Sequence, residues 1–330
     1  MNQNSITNNL TVIIRSAGER TEQACYEFLA RQVPEEQIFR VSEVPFSATL
    51  RESLKLGVEQ GRKWTLCVDA DVLVKERAVR EIVEYAEMEQ DEVVEVQGYC
   101  IDKFFFGHKA AGNHMYRTKY LRYAIENIPA EGTSLRPETD MLDALKEKGF
   151  DWKQYDITIG LHDFEQYFRD IFAKKYLQSF KHEHKLAQFV REYRRWAETD
   201  PDYRVALWGL AAGVVSGRHT YADYTKVPYE FYEYCANREE MLQEKSEMSA
   251  GFVNVDEIIQ EYKIRIQSGD ITPLMKNLYQ KETLKEDQSE KKRWQNASHI
   301  ISERGMVKGS LWAMGSLLAK SGKWLQGENH

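Results

Sequence analysis

The stretch that most constrains this chain is "WTLCVDADVLV", residues 64–74, an apolar, β-rich run that contains Asp69 and Asp71. A core strand does not carry two carboxylates one residue apart unless something offsets their desolvation and mutual repulsion. The preceding sequence says where this strand lies. "LTVIIRS" (10–16) is a short β-branched run closed by the turn signal "AGER", and a helix pattern follows over 21–32, stopped before Pro34. "QIFRVSEVPF" predicts a second strand. "SATLRESLKLGVEQG" predicts a second helix, with Thr49 and Glu52 at capping-box spacing and Gly61 as its stop. Strand, helix, strand, helix, strand is the order of an α/β fold with a mostly parallel sheet flanked by helices. Ligands of such sheets bind beyond the C-terminal ends of the strands. Arg15-Ser16, Ser42-Glu43 and Asp69-Asp71 all fall at such ends, so they are expected to converge on one crevice.

Two aspartates at i and i+2 on a strand point the same way. Where the strand ends, such a pair can hold a hard divalent ion, Mg²⁺ or Mn²⁺, completed by substrate phosphates and water. The pair alone is a common pattern. Its place after "TLCV", third in the strand-helix series, is what gives it meaning.

Farther along, "EVVEVQGYCID" alternates as a strand, and "NHMYRTKYLRYAIENI" reads as a short strand leading into a helix. "PETDMLDALKEKGF" opens with Pro137 and acidic residues and stops at Gly149, a well-marked helix. "WKQYDITIGLHDF" reads as a short strand running into a loop with His162. Beyond it the pattern turns helical. Phe164, Tyr167, Phe168, Ile171, Phe172 and Tyr176 form one amphipathic stripe, and Leu186, Phe189, Val190, Tyr193 and Trp196 another; both read as helix packing. The span 281–293 is charged and lacks core residues. Residues 291–330 hold seven basic side chains against two acidic, mixed with Trp294, Trp312 and Trp324. That mixture suits the surface of an anionic membrane, or a helix docked on protein. The expected organisation is a core over 1–165, a helical extension over 166–285 and a basic tail over 286–330.

A net charge of -7 argues against nucleic acid as a partner. The first residues lack an apolar signal segment and no apolar run reaches 18 residues, so the expected location is cytoplasmic, with peripheral membrane contact through the tail. Cys25, Cys67, Cys100 and Cys235 show no paired spacing and read as reduced, mostly buried thiols.

"LTVIIRSAGERT" followed by "CVDADVLV" resembles the nucleotide-sugar-binding half of the GT-A fold glycosyltransferases, above all the large bacterial inverting family (family 2-like). The resemblance covers about residues 10–165. It implies that Arg15, Ser16 and Glu19 contact the nucleoside, that Glu43 meets the base, and that Asp69 and Asp71 hold the metal diphosphate of a nucleotide-sugar donor. It further implies that "GNHMYRTKYL" shapes the donor-sugar and acceptor pocket, that His162 completes a Mn²⁺ or Mg²⁺ site, and that an acid in "PETDMLDALKEKGF" is the general base. The acceptor would be a glycan or lipid-linked hydroxyl. The family pattern has two adjacent acids where this chain interposes Thr139, so both Glu138 and Asp140 are candidates. It also has Asn and Gly in the preceding helix where Ser53 and Lys55 stand here.

Each candidate has a plainer role. An acid in the first turn of a helix stabilises its dipole, and a loop histidine is often satisfied by a carbonyl. His182 and His184 read as solvated, and His108 and His114 as members of a polar loop that could touch the acceptor. Rival enzymes fit less well. A sugar nucleotidyltransferase has a Gly-rich basic loop after the first strand, a dehydrogenase has GxGxxG there, and a haloacid-type phosphatase has its DxD on that strand; "RSAGERT" supplies none of these. A non-catalytic scaffold that kept the fold is the rival from another class.

Overall fold

The computed structural model describes residues 8–216, 226–238 and 242–274. The chain divides into two compact units. The described part of the first comprises residues 8–170 and 244–274; that of the second comprises 171–216, 226–238 and 242–243.

The first unit opens as its sequence predicts. β1 (Leu10–Arg15) is wholly buried, α1 is Glu22–Ala30, β2 is Ile38–Val41, α2 is Phe46–Gln60 and β3 is Trp64–Asp69. Gly61 ends α2 in the left-handed conformation (φ 63°). The capping box does not form. α2 starts at Phe46 behind Pro45, whose fixed φ favours an earlier first turn, and Thr49 lies inside the helix with its hydroxyl on the Glu43 carbonyl.

The opening strand is also broken in two. β3 stops at Asp69, and β4 (Val72–Val74) is a separate strand. Then come α3 (Ala78–Met88), β5 (Val93–Asp102), β6 (Gly107–Lys109), β7 (Asn113–Arg117), α4 (Leu121–Glu126), α5 (Pro137–Glu147) and β8 (Asp151–His162). β8 is twelve residues long, not a short strand, because it is shared by two neighbours, β5 and β4.

The strand order is β2-β1-β3-β7-β5-β8-β4, with β6 on β5. β2, β1 and β3 are parallel; beyond β3 the sheet is mixed. β3 and β4 lie three strands apart on this path, yet only Ala70 and Asp71 separate them in sequence, a reach of at most about 11 Å. The sheet therefore curls until β4 returns to the C-terminal end of β3, and the two aspartates sit at the closure. α2, α4 and α5 cover one face over a core of Ile13, Leu50, Leu54, Cys67, Tyr116 and Met141. α3 lies against β5 and β8. Residues 244–274 add α10 (Val255–Gln267) to this unit, and Arg20 is tied to it through the Ser246 carbonyl at 2.5 Å.

The second unit is helical: α6 (Phe168–Lys181, from Ile171), α7 (Leu186–Trp196), α8 (Pro201–Ser216) and α9 (Tyr229–Arg238). Phe172, Tyr176, Phe189 and Tyr193 of the aromatic stripes are buried in it. α8 is the "VALWGLAAGVV" segment, and a Cβ on its Gly209 would stand 2.4 Å from the Phe172 carbonyl oxygen, so two backbones cross there at close range. Among the described residues no helix is long and apolar enough to cross a membrane. The basic tail lies outside them.

Candidate metal centre and active site

Sheet register assembles the site. The parallel ladder places Arg15 beside Asp69, and the Arg15 Nε donates to Asp69 Oδ1 at 2.7 Å. The antiparallel ladder of β4 and β8 pairs Val72 with His162, and the Asp163 amide donates to the Asp71 carbonyl at 3.2 Å. Asp71, His162 and Asp163 are all buried and offer one ligand atom each within 4.8 Å of one another. Asp69 is not in that group; it faces Arg15.

The residues fit a divalent cation on three counts. His162 Nε2 and Asp71 Oδ2 stand 3.6 Å apart, too far for a hydrogen bond, whereas two ligands each ~2.1 Å from one ion stand roughly 3 to 3.6 Å apart. His162 Nδ1 is held at 2.8 Å by Asp102 Oδ2, its β5 ladder partner, which leaves Nε2 turned to Asp71. Asp102 is itself fixed by the Phe104 and Phe105 amides and by Lys109 at 2.9 Å. Burial opposes ionisation of Asp102, but Lys109 and His162 overcome it and hold its carboxyl well below the usual range. Gly112 supplies the third count. It has φ +64°, and a Cβ there would stand 3.3 Å from both Asp69 Oδ2 and His162 Cδ2 and 2.5 Å from Val72. The space between Asp69 and His162 is kept by the absence of a side chain. Carboxylate donors suit Mn²⁺ or Mg²⁺, and an imidazole beside them favours Mn²⁺, the transition metal of the two.

On the other side of Asp69, Arg15 bridges to a second buried network. Its Nη1 donates to Glu138 Oε1 at 2.7 Å, and the same oxygen accepts the Tyr116 hydroxyl at 2.5 Å. His114 Nε2 lies 3.0 Å from Glu138 Oε2, and its Nδ1 lies 3.0 Å from Glu95 Oε1. Burial disfavours the imidazolium, yet Glu138 and Glu95 push the His114 pKa up to about 9. Burial likewise opposes ionisation of Glu138, but Arg15 and His114 hold it well below the carboxylate range. Glu95 moves the opposite way, raised by burial despite His114. Arg15 Nη2 and Glu95 Oε2 are buried without a hydrogen-bond partner among the described residues.

The remaining candidates divide. Ser16 Oγ lies 3.0 Å from Glu19 and 2.5 Å from Glu22, and accepts the Gly18 amide at 2.9 Å, which shapes the turn after β1. Glu43 is exposed before α2. Glu138 is buried beside Arg15. Asp140 is exposed and accepts from Ser134 at 2.5 Å, bracing the loop that enters α5.

No family model matches the chain, and no curated protein sequence does. Solved structures are similar to it at low identity. A mannosyltransferase from Pyrobaculum calidifontis in complex with GDP-Man and Mn²⁺ is 12% identical, with a TM-score of 0.36 over 83% of this chain and 88% of that one. A glycosyltransferase involved in glycosylation of the major capsid of PBCV-1 is 11% identical, with a TM-score of 0.34 over 44% of this chain and 81% of that one. A CMP:2-keto-3-deoxy-manno-octonic acid synthetase complexed with CTP is 9% identical, with a TM-score of 0.33 over 46% and 92%. At this level of similarity the chemistry of the site has to be identified from its own residues.

Sequence reasoning passed over three of those residues and misplaced a fourth. Asp163 follows His162 directly and could have been noticed. Asp102 was hidden at the end of an alternating strand. Tyr116 lies on β7 in a segment assigned only to pocket shape; His114, expected in a polar loop that could touch the acceptor, lies on the same strand, and both meet Glu138 only once β7 is antiparallel to β3.

Proposed function

We propose that this chain is a metal-dependent glycosyltransferase. It moves a sugar from a nucleotide-sugar donor to a hydroxyl of a glycan or lipid-linked acceptor, with inversion. The observation that carries the reading is the Asp71–His162–Asp163 donor group beside the Arg15–Asp69 pair, at the C-terminal ends of the strands where α/β sheets bind ligands. Asp71, His162 and Asp163 hold Mn²⁺ or Mg²⁺ in this proposal, with Asp69 turned toward the donor. The ion supplies Lewis-acid neutralisation of the leaving diphosphate. Arg15 adds its spare Nη2 donor to that charge, and Ser16, Glu19 and Glu43 lie along the nucleoside.

The donor C1–O bond breaks with oxocarbenium character while the acceptor hydroxyl attacks. Its proton passes to a carboxylate. Of the two candidate acids, Glu138 is assigned that role, since it is ionised and one guanidinium away from Asp69, while Asp140 braces a loop. Three donors already occupy Glu138, and its depressed pKa makes it a weak base. Its expected contribution is therefore near the lower end of general-base catalysis, about 10²-fold. Most of the acceleration comes from charge stabilisation at the leaving group.

A donor panel tests this. UDP-, GDP- and dTDP-sugars are titrated with Mn²⁺ or with EDTA, and hydrolysis and transfer are followed for wild type and Asp71→Ala. The expected result is Mn²⁺-dependent binding of one nucleotide class, abolished in Asp71→Ala. Absence of such binding at millimolar donor overturns the proposal.

A further inference from the structure

The N-terminal end of β3 carries a feature that the proposed chemistry does not use. A surface cavity of about 440 Å³ is lined by Arg62, Lys63, Arg117, Lys119 and Arg122, with Asp91 as its one acid. Five cations gathered on one cavity, in a chain of net charge -7, call for an explanation.

Topology brings them together from two segments. Arg62 and Lys63 lead into β3, and Arg117 ends β7, which runs antiparallel, so Trp64 and Arg117 are ladder partners. The Thr118 amide on the Lys63 carbonyl at 3.0 Å pins the two strand ends. Lys119 and Arg122 follow in the turns that begin α4.

Local structure accounts for part of the cluster. The C-terminal carbonyls of α2 favour nearby cations, which suits Arg62 and Lys63 but not the three cations from the other segment. Lys63 pairs with Glu87, and Lys119 with Asp91. Arg117 is different. It is buried, stacked on Trp64 at 4.6 Å, and donates to the Val93, Glu89 and Gln90 carbonyls, with Asp91 no nearer than 3.8 Å. Carbonyls fix that guanidinium, and Asp91 offsets part of its charge. Arg62 donates to two neutral acceptors, Thr11 Oγ1 and Gln60 Oε1. Arg122 is exposed and makes no ion pair among the described residues. Two of the five positive charges, Arg62 and Arg122, thus lack an ion pair among the described residues, and both line the same cavity.

We propose that this cavity binds a phosphate-bearing ligand carrying at least two negative charges, of the diphosphate class. Guanidinium groups are the side chains best suited to phosphate oxygens, and the volume matches a small phosphorylated molecule. The site is separate from the metal centre. The six residues of β3 put it about 17 Å from Asp69, at the opposite end of the strand. The phosphate can come from a free metabolite or from a lipid headgroup, since the recognising chemistry is the same.

The test is calorimetric titration of the full chain with pyrophosphate in EDTA at low ionic strength, so that no metal contributes. The variants are Arg62→Gln/Arg122→Gln, and Arg122→Glu alone, whose exposed position makes misfolding a poor explanation of any loss. Asp71→Asn reports on the far site. In a second arm, vesicles of phosphatidylcholine with phosphatidic acid are sedimented with the same proteins. The expected result is saturable binding of pyrophosphate, of the vesicles, or of both, weakened about tenfold or more in the double variant and in Arg122→Glu, and unchanged in Asp71→Asn. Pyrophosphate binding identifies a free ligand; vesicle binding alone identifies a headgroup. Binding that survives in both arginine variants, binding lost in Asp71→Asn instead, or none in either arm overturns the proposal.

Discussion

Two buried ionic clusters flank Asp69, and they differ in how their charge is arranged. On the β1–β7–α5 side, both Glu138 oxygens are engaged, by Arg15 and Tyr116 on one and by His114 on the other, at 2.5 to 3.0 Å. On the β4–β8–β5 side, Asp71 Oδ2 stops 3.6 Å from His162 Nε2, the nitrogen left when Asp102 holds Nδ1. Around Glu138 the first cluster is closed by its own hydrogen bonds, and the second is the more open, with Asp71 and His162 at the spacing of ligands around an ion. Burial alone does not separate a structural network from a binding site, since both clusters are buried. What separates them is spacing, with hydrogen-bond distances around Glu138 and a ligand-to-ligand distance between Asp71 and His162.

Asp71→Ala should give the largest effect. It removes a proposed metal ligand and should lower Mn²⁺-dependent transfer by about 10³-fold, on the usual scale of lost electrostatic stabilisation at a leaving group. Far-ultraviolet circular dichroism should stay native. Next comes Glu138→Gln, with about a 10²-fold loss in transfer at retained donor affinity. Because the closed network loses its central anion, that variant should also be destabilised by about 3 kcal/mol, the cost of leaving a buried cation uncompensated. Asp140→Asn should change turnover by no more than a few-fold. Equal turnover losses in the two acid variants would erase the distinction drawn between them.

The fold was legible where local pattern and tertiary role agree. β1, β2, β3, α1, α5 and the left-handed stop at Gly61 follow from β-branched runs, helical spacing and punctuation. The break between β3 and β4 was not legible, because "DADVLV" has the composition of one continuous strand. Only pairing with β8 across a curled sheet turns "VLV" away, and such a pairing leaves no local mark. Asp69 and Asp71 were expected together at the end of one strand, whereas one ends β3 and the other precedes a second strand, β4. The same gap hid the surroundings of His114. Its neighbours Glu95 and Glu138 are 19 and 24 residues distant, and non-local register is what a single sequence carries least.

Asp102→Asn probes the open cluster indirectly. Asp102 makes no contact with the proposed ion; it orients His162 through Nδ1. The variant should weaken Mn²⁺ affinity by about 10- to 100-fold, the range for partners of metal-binding histidines. Titration of Mn²⁺ against donor binding measures it, and unchanged affinity would remove His162 from the ligand set.

The closed cluster makes a prediction of its own, and it concerns pH. His114 faces Glu95 and Gln97 on β5, Glu138 on α5, and the Tyr116 ring on its own strand. Its folded pKa of about 9 lies above the ordinary histidine value, so its contribution to stability is complete below about pH 6.5 and is lost as pH rises toward 9. Glu138 has the opposite sign. Its folded pKa is depressed, so its contribution is present above the ordinary carboxylate range and is lost only in acid. Between pH 6.5 and 9 the His114 proton should therefore dominate, with a fall of up to about 3 kcal/mol. Urea melts across that range should show the decline in wild type and a flatter curve in His114→Gln. A decline of the same size in the variant would assign the titration to another group, and the alternation of charge around Glu138 would no longer account for the stability of this side of the sheet.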